Sequence, residues 1–180
     1  LADIFNGITV NPPSISAIIA IALAGVLLLA SGFASASEIA FFSLSPSDRN
    51  DIDERNHPSD DKISALLGDT ERLLATILIT NNFVNVTIIM LCNFFFMNVF
   101  VFHSPLAEFL ILTVILTFLL LLFGEIMPKI YSAQKTLTFC RFSAPGIYFL
   151  EKVFRPIATV LVRSTTFLNK HFVKKSHNIS

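Results

Sequence analysis

The chain has no tryptophan, only two cysteines and four histidines, and just 14% of its 180 residues are charged, against 53% that are hydrophobic. Each shortage closes a class of function. Cys92 sits in a long apolar run and Cys140 in a basic stretch far beyond it, so no paired disulfide framework is available and both read as small buried apolar groups. His57, His103, His171 and His177 all fall outside the apolar runs. No Ser/His or paired-Asp constellation is therefore placed at membrane depth, which argues against an intramembrane enzyme. The low charge and a mean hydropathy of +0.69 exclude an ordinary soluble domain. The chain begins with Leu and shows no basic n-region followed by a small-residue cleavage site, so no signal peptide is visible.

What is present is phenylalanine, 19 residues of it, and three long apolar runs. A helix needs roughly 20 apolar residues to cross about 30 Å of hydrocarbon. Three segments meet that length: Ser16 to Leu44, Leu73 to Phe102 and Leu106 to Tyr131. Each exceeds the minimum, which predicts tilt or internal breaks. The expected fold class is an all-α membrane protein, with three transmembrane helices containing internal breaks and a juxtamembrane amphipathic belt. Residues 1–140 form the transmembrane core, and 141–180 the belt helices and tail.

Charge placement predicts orientation. Of the 13 basic residues, Arg49, Arg55, Lys62 and Arg72 lie between the first two spans, and all the others lie from Lys129 onward. None precedes the first span or separates the second from the third. The positive-inside rule then puts the N-terminal stretch, with Asp3, and the turn at His103, Ser104 and Pro105 outside the cytoplasm. A multi-pass protein of the inner (plasma) membrane, with the lipid bilayer as surroundings and no nucleic-acid partner, is the expectation. Pro12, Pro13 and Ser14 mark the start of the first span, Ser14 as its cap. The acids from Asp48 to Asp61 could bind a cation as a patch, but interspersed Arg49, Arg55 and Lys62 read more simply as a solvated helix-loop connection.

Beyond Arg141 charges recur every few residues. The best window for a fourth span, Ser143 to Val162, has Glu151, Lys152, Arg155 and Pro156 near its centre, and each central charge costs about 2.5–3.5 kcal/mol on insertion. Two or three interfacial helices, broken near Pro145 and Pro156, are expected instead.

Polar residues cluster in the spans. The first carries Ser31, Gly32, Ser35, Ser37 and Glu38; the second carries Thr80, Asn81, Asn82 and Asn85; the third ends on Gly124, Glu125 and Pro128. Ser31 and Ser35 are four apart, as are Asn81 and Asn85, so each pair shares a helix face. Gly32 and the Gly124–Pro128 pair are expected to let backbone carbonyls leave the helical ladder, because Pro128 cannot donate to the carbonyl four residues earlier, that of Gly124, which frees an oxygen. Hydroxyls, amide carbonyls, a loose main-chain carbonyl and the carboxylate of Glu125 or Glu38 make an all-oxygen set that suits magnesium, sodium or calcium. Small and amide side chains also serve plain helix packing, whereas an intramembrane carboxylate such as Glu125 is costly without a role, unless Lys129 four residues on pairs with it.

Three motifs carry a resemblance. SGFASASEIA at Ser31 to Ala40, TNNFVN at Thr80 to Asn85 and FGEIMPK at Phe123 to Lys129 resemble, in this order, the hallmark stretches of the transmembrane domain of the CNNM/CorC magnesium-transport family. Ala34, Ala36, Ile39 and Thr80 depart from the family pattern. The resemblance implies a homodimer that holds a dehydrated Mg²⁺ in an inward-facing cavity. It implies ligands from Ser31, Ser35, Asn81, Gly124 and Glu125, with Asn85 behind them. It also implies magnesium transport, expected outward and with Na⁺ as a candidate coupling ion, and cytoplasmic CBS and CorC-type regulatory domains in full-length relatives. A branch of the family associated with gliding motility suggests the alternative, a non-transporting membrane anchor or assembly factor.

Overall fold

The computed structural model describes residues 8–176, with side chains described from 9 to 167. Asp3 and the end of the tail lie outside them. The order is β1 (Ile8–Val10), α1 (Ile15–Phe42), α2 (Pro46–Asp53), α3 (Asp60–Leu67), α4 (Thr70–Val99), β2 (Phe100–Phe102), α5 (Pro105–Leu119), a π-helical stretch (Leu120–Ile126), α6 (Met127–Gln134) and α7 (Thr136–Ser176). Three helical segments are long and apolar enough to cross a membrane: α1, α4 and the continuous run Pro105–Gln134. Their outward sides carry exposed Leu23, Val26, Phe83, Met90, Phe109 and Phe118, which water would penalise and hydrocarbon does not.

The termini of these helices follow local chemistry. Ser14 Oγ accepts the Ala17 N–H at 3.2 Å and starts α1 as the sequence suggests. Ser104 caps α5 ahead of Pro105, whose fixed φ suits the first helical position. The second span stops three residues short of the sequence expectation. Phe100–Phe102 instead leave the helix and pair antiparallel with Ile8–Val10, Ile8 opposite Phe102. Those strands give the backbone groups of the turn partners, a need that apolar content alone does not reveal.

Two further expectations fail. Gly32 does not interrupt α1, which runs unbroken through it, and α4 is likewise continuous; among the spans only the third has an irregular ladder. The interfacial region is a single helix, α7, with Pro145 and Pro156 inside it, rather than two or three pieces. A proline removes one rung and crowds the turn before it, but the rungs on either side survive. Here that is not enough to end a 41-residue helix.

Contacts divide the chain into two units, one of residues up to Ala36 with Asn81–Tyr131, the other of Ser37–Thr80 with the residues from Ser132 onward. In the first, Ala24, Val84, Ile88, Cys92 and Leu116 form a buried cluster, small residues of α1 letting the larger side chains of α4 and α5 close in. In the second, α3 packs on α7, and Ile63, Leu66, Cys140, Ala144 and Ile147 are buried.

Candidate functional site

The first unit holds a seam of oxygen atoms built from three segments. Helical spacing puts Ser31 and Ser35 one turn apart on α1 and Asn81 and Asn85 one turn apart on α4. Both serines are fully buried. The Ser31 hydroxyl lies 2.6 Å from Asn85 Oδ1 and 3.0 Å from Asn81 Oδ1, and the Ser35 hydroxyl lies 3.4 Å from Asn81 Oδ1. Asn85, placed behind the other ligand candidates by resemblance, makes the shortest of these contacts.

The third segment closes on the same serine. A Cβ added at Gly124 would come within 3.0 Å of Ser31 Oγ, so glycine is what lets the third span approach. Gly32 acts likewise one residue along: a Cβ there would meet Pro128 Cγ at 3.0 Å and the Phe123 carbonyl oxygen at 3.3 Å. Its purpose is close approach, which explains why it does not break α1.

The irregular ladder lies at this crossing. Over Leu120–Ile126 the rungs lengthen to five residues, and the Met127 N–H donates to the Leu122 carbonyl. The next rung of that register would join residue 128 to Phe123, and the ordinary four-residue rung would join it to Gly124. Pro128 has no N–H for either. Phe123 thus joins Gly124 as a carbonyl whose expected donor is missing; the sequence signal was Pro128, but the change of register was not visible in it.

Not every expected residue reaches the seam. Glu125 follows Gly124 directly and is half-buried, but the Ser–Asn hydrogen bonds of the seam run among Ser31, Ser35, Asn81 and Asn85 and do not involve its carboxylate. Thr80 turns its hydroxyl to the Thr76 carbonyl of its own helix at 2.8 Å. Glu38 is half-buried and lies in the second unit. Among the described residues no three His, Cys, Asp or Glu side chains gather to hold a metal, so any ion here is held mainly by neutral oxygens.

Proton arithmetic defines what the seam can do. A hydroxyl has one proton, and Ser31 faces two amide oxygens. With both amide oxygens turned toward it, Ser31 shares that one proton between contacts at 2.6 and 3.0 Å. The oxygen lone pairs that remain suit a hard cation.

The acids of the connection between α1 and α4 have other work, in the second unit. Asp48 completes a capping box with Ser45 at the start of α2, and Asp61 pairs with Arg55 at 3.3 Å. Asp60 is wholly buried and takes both arms of Arg141, Nε to Oδ1 at 2.9 Å and Nη2 to Oδ2 at 3.0 Å, plus the His57 N–H at 2.9 Å. Burial pushes the Asp60 carboxyl up, but the Arg141 hydrogen bonds, the His57 N–H and the nearby positive charge outweigh it and hold the group below its ordinary value. The bond to Asp60 raises Arg141 in turn. Beside it, burial pushes the Cys140 thiol up to about 12, which leaves it inert.

Comparison with known proteins shows the family. Residues 22–180 match the family described as the cyclin M transmembrane N-terminal domain. The chain is 26% identical over 140 residues to the UPF0053 protein sll1254 of Synechocystis, covering 78% of this chain and 39% of that protein. It is 29% identical over 136 residues to a UPF0053 protein of Haemophilus influenzae, covering 76% and 31%. The chain thus spans between about a third and two fifths of the length of these relatives. With three spanning helices, a match over most of its length and the polar seam at their crossing, it belongs to the cyclin M transmembrane domain family.

Proposed function

We propose that this chain is the membrane portion of a magnesium transporter and that the seam around Ser31 is where the ion passes. One observation carries the reading: Ser31 presents a single proton to two amide oxygens, at 2.6 and 3.0 Å, in a buried crossing of three spans. Ser35, Asn81, Asn85 and a main-chain carbonyl at Gly124 or Phe123 add oxygens, and Glu125 supplies the charge that a divalent ion needs. Glu125, next to Gly124 in the chain, is the carboxylate that would complete such a set. Outward transport, Na⁺ coupling, a homodimer and cytoplasmic regulatory domains extend the same reading, as does a plasma-membrane location with the N-terminus outside.

The packing reading, a membrane anchor held together by Ser–Asn bonds, has a definite form. Turning the Asn85 amide by 180° would place an N–H against Ser31 and supply a second proton. Flux separates the two. The purified chain in liposomes loaded with a magnesium-sensitive dye should pass Mg²⁺ faster than protein-free liposomes, and Glu125→Gln should return the rate to background. Equal rates with and without wild-type protein would leave the anchor.

A further inference from the structure

The second unit contains a pocket that the transport reading does not use. It has a volume of about 240 Å³ and lies between the first turn of α4 and the middle of α7. Three cations line it, Arg72, Lys152 and Arg155, with two carboxylates, Asp69 and Glu151. Tyr148, Lys152 and Arg155 stand at positions i, i+4 and i+7 of α7, one helix face. Lys152 Nζ sits 4.6 Å over the Tyr148 ring, held there by the ring's negative face.

Arg72 is the unusual member. Its Nε lies 3.5 Å from Asp69 Oδ2 and its Nη1 3.9 Å from Glu151 Oε1, near enough for attraction but too far for hydrogen bonds. Nε is buried and has no hydrogen-bond partner. Nε is closed to solvent, so an acceptor oxygen in the pocket would meet the guanidinium through its other nitrogens, Arg72 being part of the cavity wall. The pocket's formal charge is one positive in excess. A phosphate diester carries one negative charge and would balance it, whereas a monoester at neutral pH would overshoot.

The surroundings identify the diester. Arg72 is in the first turn of a membrane-spanning helix, so the pocket is at the boundary of hydrocarbon and water. A second groove, about 260 Å³, lies between the same two helices and is mainly apolar, formed by Leu74, Ala75 and Leu78 of α4 with Leu161 and Val162 of α7, and with Glu71 and Thr165 also on its wall. A charged cavity and a mainly apolar groove between the same two helices suit the two parts of an amphiphile.

We propose that this site binds an anionic phospholipid, its phosphate diester among Arg72, Lys152 and Arg155 and one acyl chain along Leu74, Leu78 and Leu161. Basic pockets between helices at a membrane surface hold lipid headgroups in this way. The site is independent of the magnesium reading and stands or falls separately from it.

The test is thermal unfolding of the delipidated full chain in mild detergent with added phosphatidylglycerol, phosphatidylcholine or inorganic phosphate. Phosphatidylglycerol should stabilise it, phosphatidylcholine less, and inorganic phosphate not at all. Lys152→Gln and Arg155→Gln should each weaken the phosphatidylglycerol effect about tenfold in lipid concentration, the loss of one charge-assisted hydrogen bond. Leu161→Gln should weaken it too. Arg163→Gln removes the same charge from an exposed position of the same helix outside the pocket and should change nothing. An equal loss in Arg163→Gln, equal stabilisation by the two lipids, or equal stabilisation by inorganic phosphate would overturn the proposal. Arg72 is left intact because its burial would confound binding with folding.

Discussion

Two polar constellations hold this molecule together, and they differ in how completely they are satisfied. The Asp60–Arg141 clamp of the second unit joins two full charges, with two parallel bonds and a third from the His57 backbone. The Ser31 seam of the first unit joins neutral groups through one hydroxyl proton shared by two amide oxygens. A satisfied constellation has little affinity left for anything else, so the clamp reads as structure. An oxygen-rich, proton-poor one is poised for a cation. The location fits as well: the clamp is in the connection and belt, where charge is cheap, and the seam is in spans where each full charge would be expensive.

The largest effect should come from breaking the clamp. Arg141→Met would strand a wholly buried carboxylate and lower stability by about 3–5 kcal/mol, read as a fall in unfolding midpoint. Asp60→Asn should cost less, because Arg141 keeps about a fifth of its side chain in solvent and can turn outward. If both variants unfold like wild type, the clamp is not the structural partner of the comparison.

Acid should act on the clamp in a defined direction. Asp60 titrates lower in the folded than in the unfolded protein, so its stabilisation is full above the unfolded value of about 4 and is lost as pH falls through the folded value below that. The gap in unfolding midpoint between wild type and Asp60→Asn should therefore be constant from neutral pH to about 5 and close at more acidic pH. A gap that widens with acid would contradict the assignment.

Crowding the seam comes next. Gly124→Ala would push a methyl against Ser31 Oγ, and Gly32→Ala would push one against Pro128 and the Phe123 carbonyl, each costing about 1–3 kcal/mol. Measured unfolding midpoints unchanged by both would mean the spans are not as close as described. The smallest effects should come from the hydroxyls. Ser31→Ala should cost about 1 kcal/mol and Ser35→Ala less, since its contact is the longer one at 3.4 Å.

The same contrast shows what could be read in advance. The three spans were legible because a bilayer requires length and apolarity, which are local properties of a sequence. Spacing also showed that Ser31 and Ser35, or Asn81 and Asn85, share a face. It did not show that those faces meet, which depends on how α1 packs on α4, nor that two glycines let the third span close on α1. Asp60 and Arg141 are 81 positions apart, and nothing local marks them as partners. Pro145 and Pro156 misled for the opposite reason: each is a strong local signal, but α7 is held by its remaining rungs and by its packing on α3. The π-helical rungs before Pro128 left no pattern in the seven residues that form them.

Calorimetric titration of the purified chain with Mg²⁺ separates ion binding at the seam from mere packing. Wild type should bind magnesium measurably, Glu125→Gln should lose that binding, and Ser35→Ala should nearly retain it, because a water can replace its weakly placed hydroxyl. Absence of magnesium binding by wild type at millimolar ion, with Glu125→Gln indistinguishable from it, would leave the seam as helix packing.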